Sequence, residues 1–290
     1  ISPLIAGIVL LLIAGIDLTL HNGSFKNSSE NPADKYVVND ELKNLLKIKP
    51  PNDLFRVSMR APGVMAMQRN QGLVDSIMLY EGYNQLLLKR RNPPTGLAQQ
   101  TLDLLNMRYE IQVDTVRGGA GFAQRPTHFP RAWMTYDAIV TDSAQVHGIM
   151  YKSSIDFKKT AILEERPKMQ LSKAEPSAVN HQIKCLEYNN NSLKYSVTTS
   201  EPGVFVLSEL YYPAWQAYLD GKPVRTMHAY HALRALDMPA GTHTVEMRYE
   251  SQTFKTGAMI TAFTLSLALM GMVIEFGLDR KKIRNYSEKN

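Results

Sequence analysis

One cysteine, Cys185, is all the chain of 290 residues contains, which excludes an intramolecular disulfide framework and a structural zinc site built on several thiolates. In an alternating apolar run, that thiol reads as a small buried hydrophobe. Histidine is sparse too: seven residues, scattered along the chain. His228 and His231, three apart in a strand-and-turn context, diverge and lack a third ligand, so no metal site is expected. The glycine-rich run Gly118-Gly119-Ala120-Gly121 lacks the Lys and Ser/Thr of a phosphate loop and the strand-then-helix setting of a dinucleotide site. It reads as a turn. No basic stripe with interleaved aromatics occurs, so nucleic acid is not an expected partner. Of the net charge of +6, three charges lie in the C-terminal tail, where Arg280, Lys281, Lys282, Arg284 and Lys289 face only Asp279 and Glu288. No Ser/His/Asp or Cys/His arrangement can be assembled from spacing, so no catalytic residue is assigned.

What the chain has instead is two long apolar stretches. Gly257 to Gly277 (GAMITAFTLSLALMGMVIEFG) would rise roughly 31 Å as a helix, enough to cross the hydrocarbon core. Ile1 to Ile16 (ISPLIAGIVLLLIAGI), closed by Asp17, is short for a full span. With no initiating Met, basic n-region or cleavage site it does not read as a signal peptide. It is read as a transmembrane helix entered part-way, residues 1–17, with a second span over residues 256–277. The basic tail, residues 278–290, marks the cytoplasmic side. The expected localisation is a multi-pass cell-membrane protein with residues 18–256 extracytoplasmic and the lipid bilayer as first partner.

Between the helices, 44% apolar and 21% charged residues describe a folded body. Residues 18–40, rich in Asn, Ser, Gly and Pro, read as an exposed loop. Residues 41–155 mix a short helix at 41–48, strand character at Leu54–Met59, a helical stripe at Leu97–Asn106 running into the strand MRYEIQV, and a strand at Arg131–Tyr136. The expectation is a small mixed α/β lobe. From Asp156 the pattern turns all-β through residue 255. Leu193, Tyr195 and Val197 alternate with polar neighbours, as do Val245, Met247 and Tyr249. Gly203–Leu210 (GVFVLSEL) is a continuous apolar run, the mark of a central strand covered on both faces. Asp220-Gly221 signals a two-residue hairpin and Pro239-Ala240-Gly241 another reversal. Six to eight short strands predict an antiparallel β-sandwich. The fold class is thus α+β: two transmembrane helices bracketing an extracytoplasmic body made of a mixed lobe and a sandwich.

The run VLSELYYPAWQAYLDGKPV, then ALRALDMPAGTHTVEMRYE, then Phe and Gly entering an apolar helix, resembles the C-terminal end of the YfhO family of bacterial membrane proteins. Upstream pieces fit in order: Asp17-Leu18 ending a membrane helix, Phe55-Arg56-Val57, LLNMRYEI at Leu104 to Ile111, Phe129-Pro130-Arg131-Ala132, and DFKKTAILEE at Asp156 to Glu165. Ala214 departs from the Gly of the family's Tyr-Pro-Gly-Trp turn. The family is similar to polytopic glycosyltransferases that take sugar from a polyprenyl-phosphate carrier. The resemblance therefore implies a parent protein that transfers sugar to an envelope glycopolymer or lipid. It implies no cofactor, with the polyprenyl-phosphate-linked sugar as donor substrate. The superfamily's catalytic acid lies in an early outer loop that nothing here matches, so this chain is read as accessory.

Within it, Glu209, Tyr211, Tyr212 and Trp215 cluster at a strand end and turn. Aromatic faces stack on sugar rings and a carboxylate accepts sugar hydroxyls, which makes a glycan-binding lip; the competing readings are a sandwich core with satisfied polar tips or a membrane-interface belt. Asp17 either points into a polar cavity between helices or marks where the membrane ends. Arg131 and Arg234 either meet a carrier phosphate or pair on the surface. The alternative for the whole chain is a non-enzymatic envelope protein whose β-domain binds glycans or partner proteins.

Overall fold

The computed structural model describes residues 3–26, 31, 34, 36–37, 40–47, 53–61, 64–65, 67–68, 70–82, 87–114, 116, 119–152 and 154–287. They form two units, Ile1–Pro32 with Ser251–Asn290, and Ala33–Glu250. In the first, helix α1 spans Pro3–Lys26. It runs on past Asp17, where the sequence predicted a loop from residue 18. A helix already nucleated by Ile5–Leu20 propagates through single Asn, Gly and Ser residues, each of which costs less than starting a new turn. The apolar part, Ile5–Leu20, is 16 residues long. The last helix of the chain, Gln252–Ser287, holds a 27-residue apolar stretch, Gln252–Leu278. At about 40 Å it exceeds a hydrocarbon core of about 30 Å. Its apolar side chains are exposed throughout, which in water would be unfavourable.

The second unit is β-rich. A short helix α2, Asp40–Lys47, carries acids in its first turn, where they favour the helix dipole. Strands β1 (Arg56–Val57), β2 (Arg60–Ala61) and β3 (Val64–Met65) follow, then helix α3 (Gln71–Asp75) and helix α4 (Ala98–Leu104). Strand β4 (Met107–Asp114) pairs in parallel with β1 and antiparallel with β5 (Gly119–Gln124). The glycine-rich run is therefore strand from Gly119 onward and not a turn there: Gly121 pairs with Gln112. Leu42, Phe55, Val57, Met59, Met67 and Ile77 make the core of this lobe.

Two larger sheets complete the unit. Strands β6 (Ala132–Thr135), β7 (Asp137–Val140), β8 (Thr160–Leu163), β11 (Gly203–Leu210), β14 (Met227–Ala229) and β15 (Leu233–Met238) form a six-stranded sheet in the order β6-β11-β15-β14-β8-β7. Strands β9 (His181–Tyr188), β10 (Ser192–Thr199), β12 (Trp215–Leu219), β13 (Lys222–Val224) and β16 (Gly241–Tyr249) form a five-stranded one, β13-β12-β16-β10-β9. The larger sheet takes β6 and β7 from before residue 156 and its other strands from after it. It is also not wholly antiparallel, because β7 and β8 run parallel across a connection containing helix α5, Val146–Met150. A parallel pair needs such a crossover.

The continuous apolar run of β11 has the cause its composition suggests. Val204 and Val206 pack with Trp133, Val146, Met150 and Ala235 on one face. Phe205 and Leu207 pack with Tyr195, Val197, Val245 and Met247 of the facing sheet on the other. At the start of the strand, a Cβ on Gly203 would sit 2.7 Å from the Thr135 carbonyl and 2.8 Å from the Tyr136 ring, so only glycine lets these strands approach. The Asp220-Gly221 hairpin joins β12 to β13, with φ of 49° and 77° as a type I′ turn requires.

Candidate functional site at one end of the sandwich

At one end of the sandwich β9, β11 and β16 finish while β6, β10 and β12 begin. Pairing of β11 with β15 is regular from Gly203 to Leu207, then jumps to Leu210 opposite Leu233. The two residues looped out, Ser208 and Glu209, form a bulge that re-aims their side chains. Ser208 Oγ donates to the Leu104 carbonyl at 2.8 Å, tying the bulge to α4. Glu209 turns inward, and its side chain is only 15% exposed.

Three arginines surround that carboxylate. Arg56 Nη2 donates to Oε2 at 3.3 Å, Arg131 Nε lies 3.4 Å from Oε1, and the Tyr188 hydroxyl donates to Oε1 at 2.6 Å. Arg56 also spends Nη1 on the carbonyls of Leu105 and Ser208, at 2.8 and 3.0 Å. Arg234 reaches the Leu210 carbonyl through Nε at 2.8 Å and lays its guanidinium 4.4 Å from the Trp215 ring centre. Burial would raise the Glu209 pKa, but Arg131 and Arg56, with the Tyr188 hydrogen bond, outweigh it and hold the carboxyl below its ordinary value. Burial lowers Arg56 to about 10, helped by repulsion from Arg131, and lowers Arg234 to about 10 as well. Both stay charged at neutral pH. Burial and the neighbouring Glu209 charge push the Tyr188 hydroxyl up, so it remains a donor.

Above this charged floor stands an aromatic lip. Tyr212 and Tyr249 lie nearly parallel, 8° apart with centroids 6.3 Å apart, and each is 42% exposed. Trp215 meets Tyr249 edge-on at 5.7 Å. The turn before Trp215 closes through its N–H to the Tyr212 carbonyl at 3.0 Å, and Ala214 is not among the residues with positive φ. A turn of this kind needs no glycine.

The structure therefore divides the candidates read from the sequence. Tyr212 and Trp215 share the lip, joined by Tyr249. Glu209 lies beneath it and faces Arg131, so it is no sugar-accepting carboxylate on the surface. Tyr211 is elsewhere, stacked on His228 at 3.6 Å. Arg131 and Arg234 are buried, at 5% and 4% exposure, because the carboxylate that attracts them is buried too. Asp17 lies on α1, in the other unit, and is exposed. His228 pairs with Glu165 at 3.0 Å while the His231 ring meets His147 at 4.5 Å. Among the described residues no group of three His, Cys, Asp or Glu is placed to hold a metal ion. Sequence reasoning missed Arg56, Tyr188 and Tyr249. The signal for Arg56 was present, a charged residue between apolar neighbours in a strand that has to be buried.

The unit is thus a β-sandwich domain with a mixed lobe, followed in sequence by a helix long and apolar enough to cross a membrane. Residues 142–261 match the model of the family described as bacterial membrane protein YfhO. The match runs from the segment after β7 through the rest of both sheets into the final helix, and includes Glu209, Trp215, Arg234 and Tyr249. Neither the curated proteins nor the solved structures contain a match to the chain.

Proposed function

We propose that the chain is the C-terminal extracytoplasmic domain and last membrane anchor of a YfhO-like glycosyltransferase acting on cell-envelope glycopolymers, accessory to catalysis and not catalytic. In this reading Gln252–Leu278 spans the bilayer, the basic residues after it stay in the cytoplasm, and the sandwich lies outside. The observation that carries the reading is the lip of Tyr212, Tyr249 and Trp215. Flat, partly exposed rings present apolar faces that a sugar ring covers with its C–H groups. Their polar edges stay wet. Glu209 does not touch the glycan; it attracts Arg234, whose guanidinium lies against the Trp215 ring.

The test uses the intact protein in its membrane. Tyr212→Ala combined with Tyr249→Ala should abolish glycan transfer while expression and membrane insertion stay normal, since both rings are half outside the core. Unchanged transfer overturns the glycan-contact reading. Glycan binding that depends on the two tyrosines, with no transfer by the intact protein, would instead support a binding protein of the envelope.

A further inference from the structure

Other strongly buried or bidentate arginines of the β-rich unit have their carboxylates. Arg108 is held by both oxygens of Asp53, Arg90 by Glu164 at 2.8 Å, and Arg125 by Asp103 and Glu110 at 2.7 and 2.6 Å. Among the described residues, Arg56, Arg131 and Arg234 have one carboxylate between them, Glu209. Two positive charges are left over in a region where an unbalanced charge is costly.

Arg131 shows where the balance is missing. Its side chain is 5% exposed; Nε lies 3.4 Å from Glu209 Oε1, a carboxylate shared with Arg56, and neither Nε nor Nη1 makes a hydrogen bond among the described residues. Nη2 reaches the thioether of Met78 at 2.6 Å, a weak acceptor. Arg131 lines a cavity of about 230 Å³ with Asp53, Arg108, Ile183, Cys185 and Tyr195. The Tyr195 hydroxyl is also buried without a hydrogen bond; the thiol of Cys185, a poor acceptor, lies beside it. Asp53 is already taken by Arg108. Buried donors from two side chains and excess positive charge, with the one lining carboxylate among the described residues already paired, define a site for an oxyanion. The cavity is smaller than those that enclose drug-sized ligands, so it fits a headgroup. Arg131 alone of the three lines the cavity, but Arg56 is close enough to feel its charge, and this unbalanced field matches a phosphate monoester, which carries about −1.5 to −2 at neutral pH, better than a carboxylate.

We propose that this cavity binds a phosphate monoester group, with the Arg131 guanidinium as its counter-charge and the Tyr195 hydroxyl as a second donor. The site is separate from the aromatic lip and stands whether or not the lip binds glycan.

Cys185 supplies the readout, because it lines the cavity and is the one thiol in the chain. In the full chain in detergent micelles, inorganic phosphate should slow maleimide alkylation of Cys185 by about fivefold or more, while chloride at equal ionic strength should not. Tyr195→Phe removes a hydroxyl whose neighbour in the fold is only the poorly accepting Cys185 thiol, so folding should be unharmed. It should nevertheless weaken protection by phosphate about tenfold, the loss expected of one hydrogen bond to a charged group. Micelles of phosphatidic acid, compared with phosphatidylcholine, separate the sources. Protection by phosphatidic acid identifies a lipid headgroup, and protection by inorganic phosphate alone identifies a soluble ester. Equal rates with phosphate and chloride, or full protection in Tyr195→Phe, would overturn the proposal. Protection that persists in the Tyr212→Ala, Tyr249→Ala protein shows that the two sites succeed or fail independently.

Discussion

Arg125 and Arg131 are equally buried, 5% exposed each, and their surroundings are opposite. Arg125 uses its guanidinium fully: Nε and Nη2 on Asp103 Oδ1, Nη1 on Glu110 and on the Gln99 amide oxygen, and Nη2 also on the Gln99 carbonyl. Burial would lower its pKa, but the hydrogen bonds to Asp103 and Glu110 raise it above its ordinary value. Around Glu209 the balance reverses, and Arg56 and Arg234 are lowered. A buried arginine is a structural device where acceptors and counter-charge are complete. Where they are incomplete, as at Arg131, burial leaves an imbalance that the proposed oxyanion would correct.

That contrast can be broken most forcefully at its centre. Glu209→Gln leaves three guanidiniums with no counter-charge and should cost roughly 3–5 kcal/mol of stability in chemical denaturation. A loss under about 1 kcal/mol would mean that Glu209 is not the keystone assigned to it here. The same carboxylate sets an acid limit. Its folded-state pKa lies below the ordinary 4.5, so its contribution is fully present above that pH and is lost as pH falls through the lower folded value. Acid unfolding followed by circular dichroism should lose this component in Glu209→Gln, and an unchanged acid profile would contradict it. Asp103→Asn at the balanced arginine should cost less, about 1–3 kcal/mol, because Glu110 stays on Arg125. If the two carboxylate variants cost the same, the distinction between complete and incomplete clusters fails. The smallest effect belongs to Tyr212→Ala, within about 0.5 kcal/mol, as for an exposed side chain. A larger drop in melting temperature would make the lip a part of the core.

How much of this was legible in advance depends on the range of the interaction. The hairpin at Asp220-Gly221, the alternation in Leu193–Val197 and the doubly covered strand Gly203–Leu210 are local signals, and each corresponds to an element of the structure. The parallel β7–β8 pair was not legible, because it joins residues 137–140 to 160–163 through a crossover with no sequence mark. Nor was the partnership of Arg56 with Glu209, which are 153 residues apart. The sequence placed Glu209 beside Tyr212 and Trp215 and so suggested one lip; the bulge at Ser208–Glu209 turns the carboxylate away from the two aromatics.

By itself, then, the sequence determined the elements with a short period or a long apolar run: the strands, their tight turns, and a final helix able to cross a membrane. Periodicity and length act within one segment, where each residue's preference adds to its neighbours'. Only the tertiary structure decided which charges meet. Three arginines, from β1 of the mixed lobe and from the approach to β6 and β15 of the six-stranded sheet, share a single carboxylate because packing brings these elements together around the β11 bulge. The incomplete charge balance that results, and the cavity beside it, belong to the fold and not to any stretch of the chain.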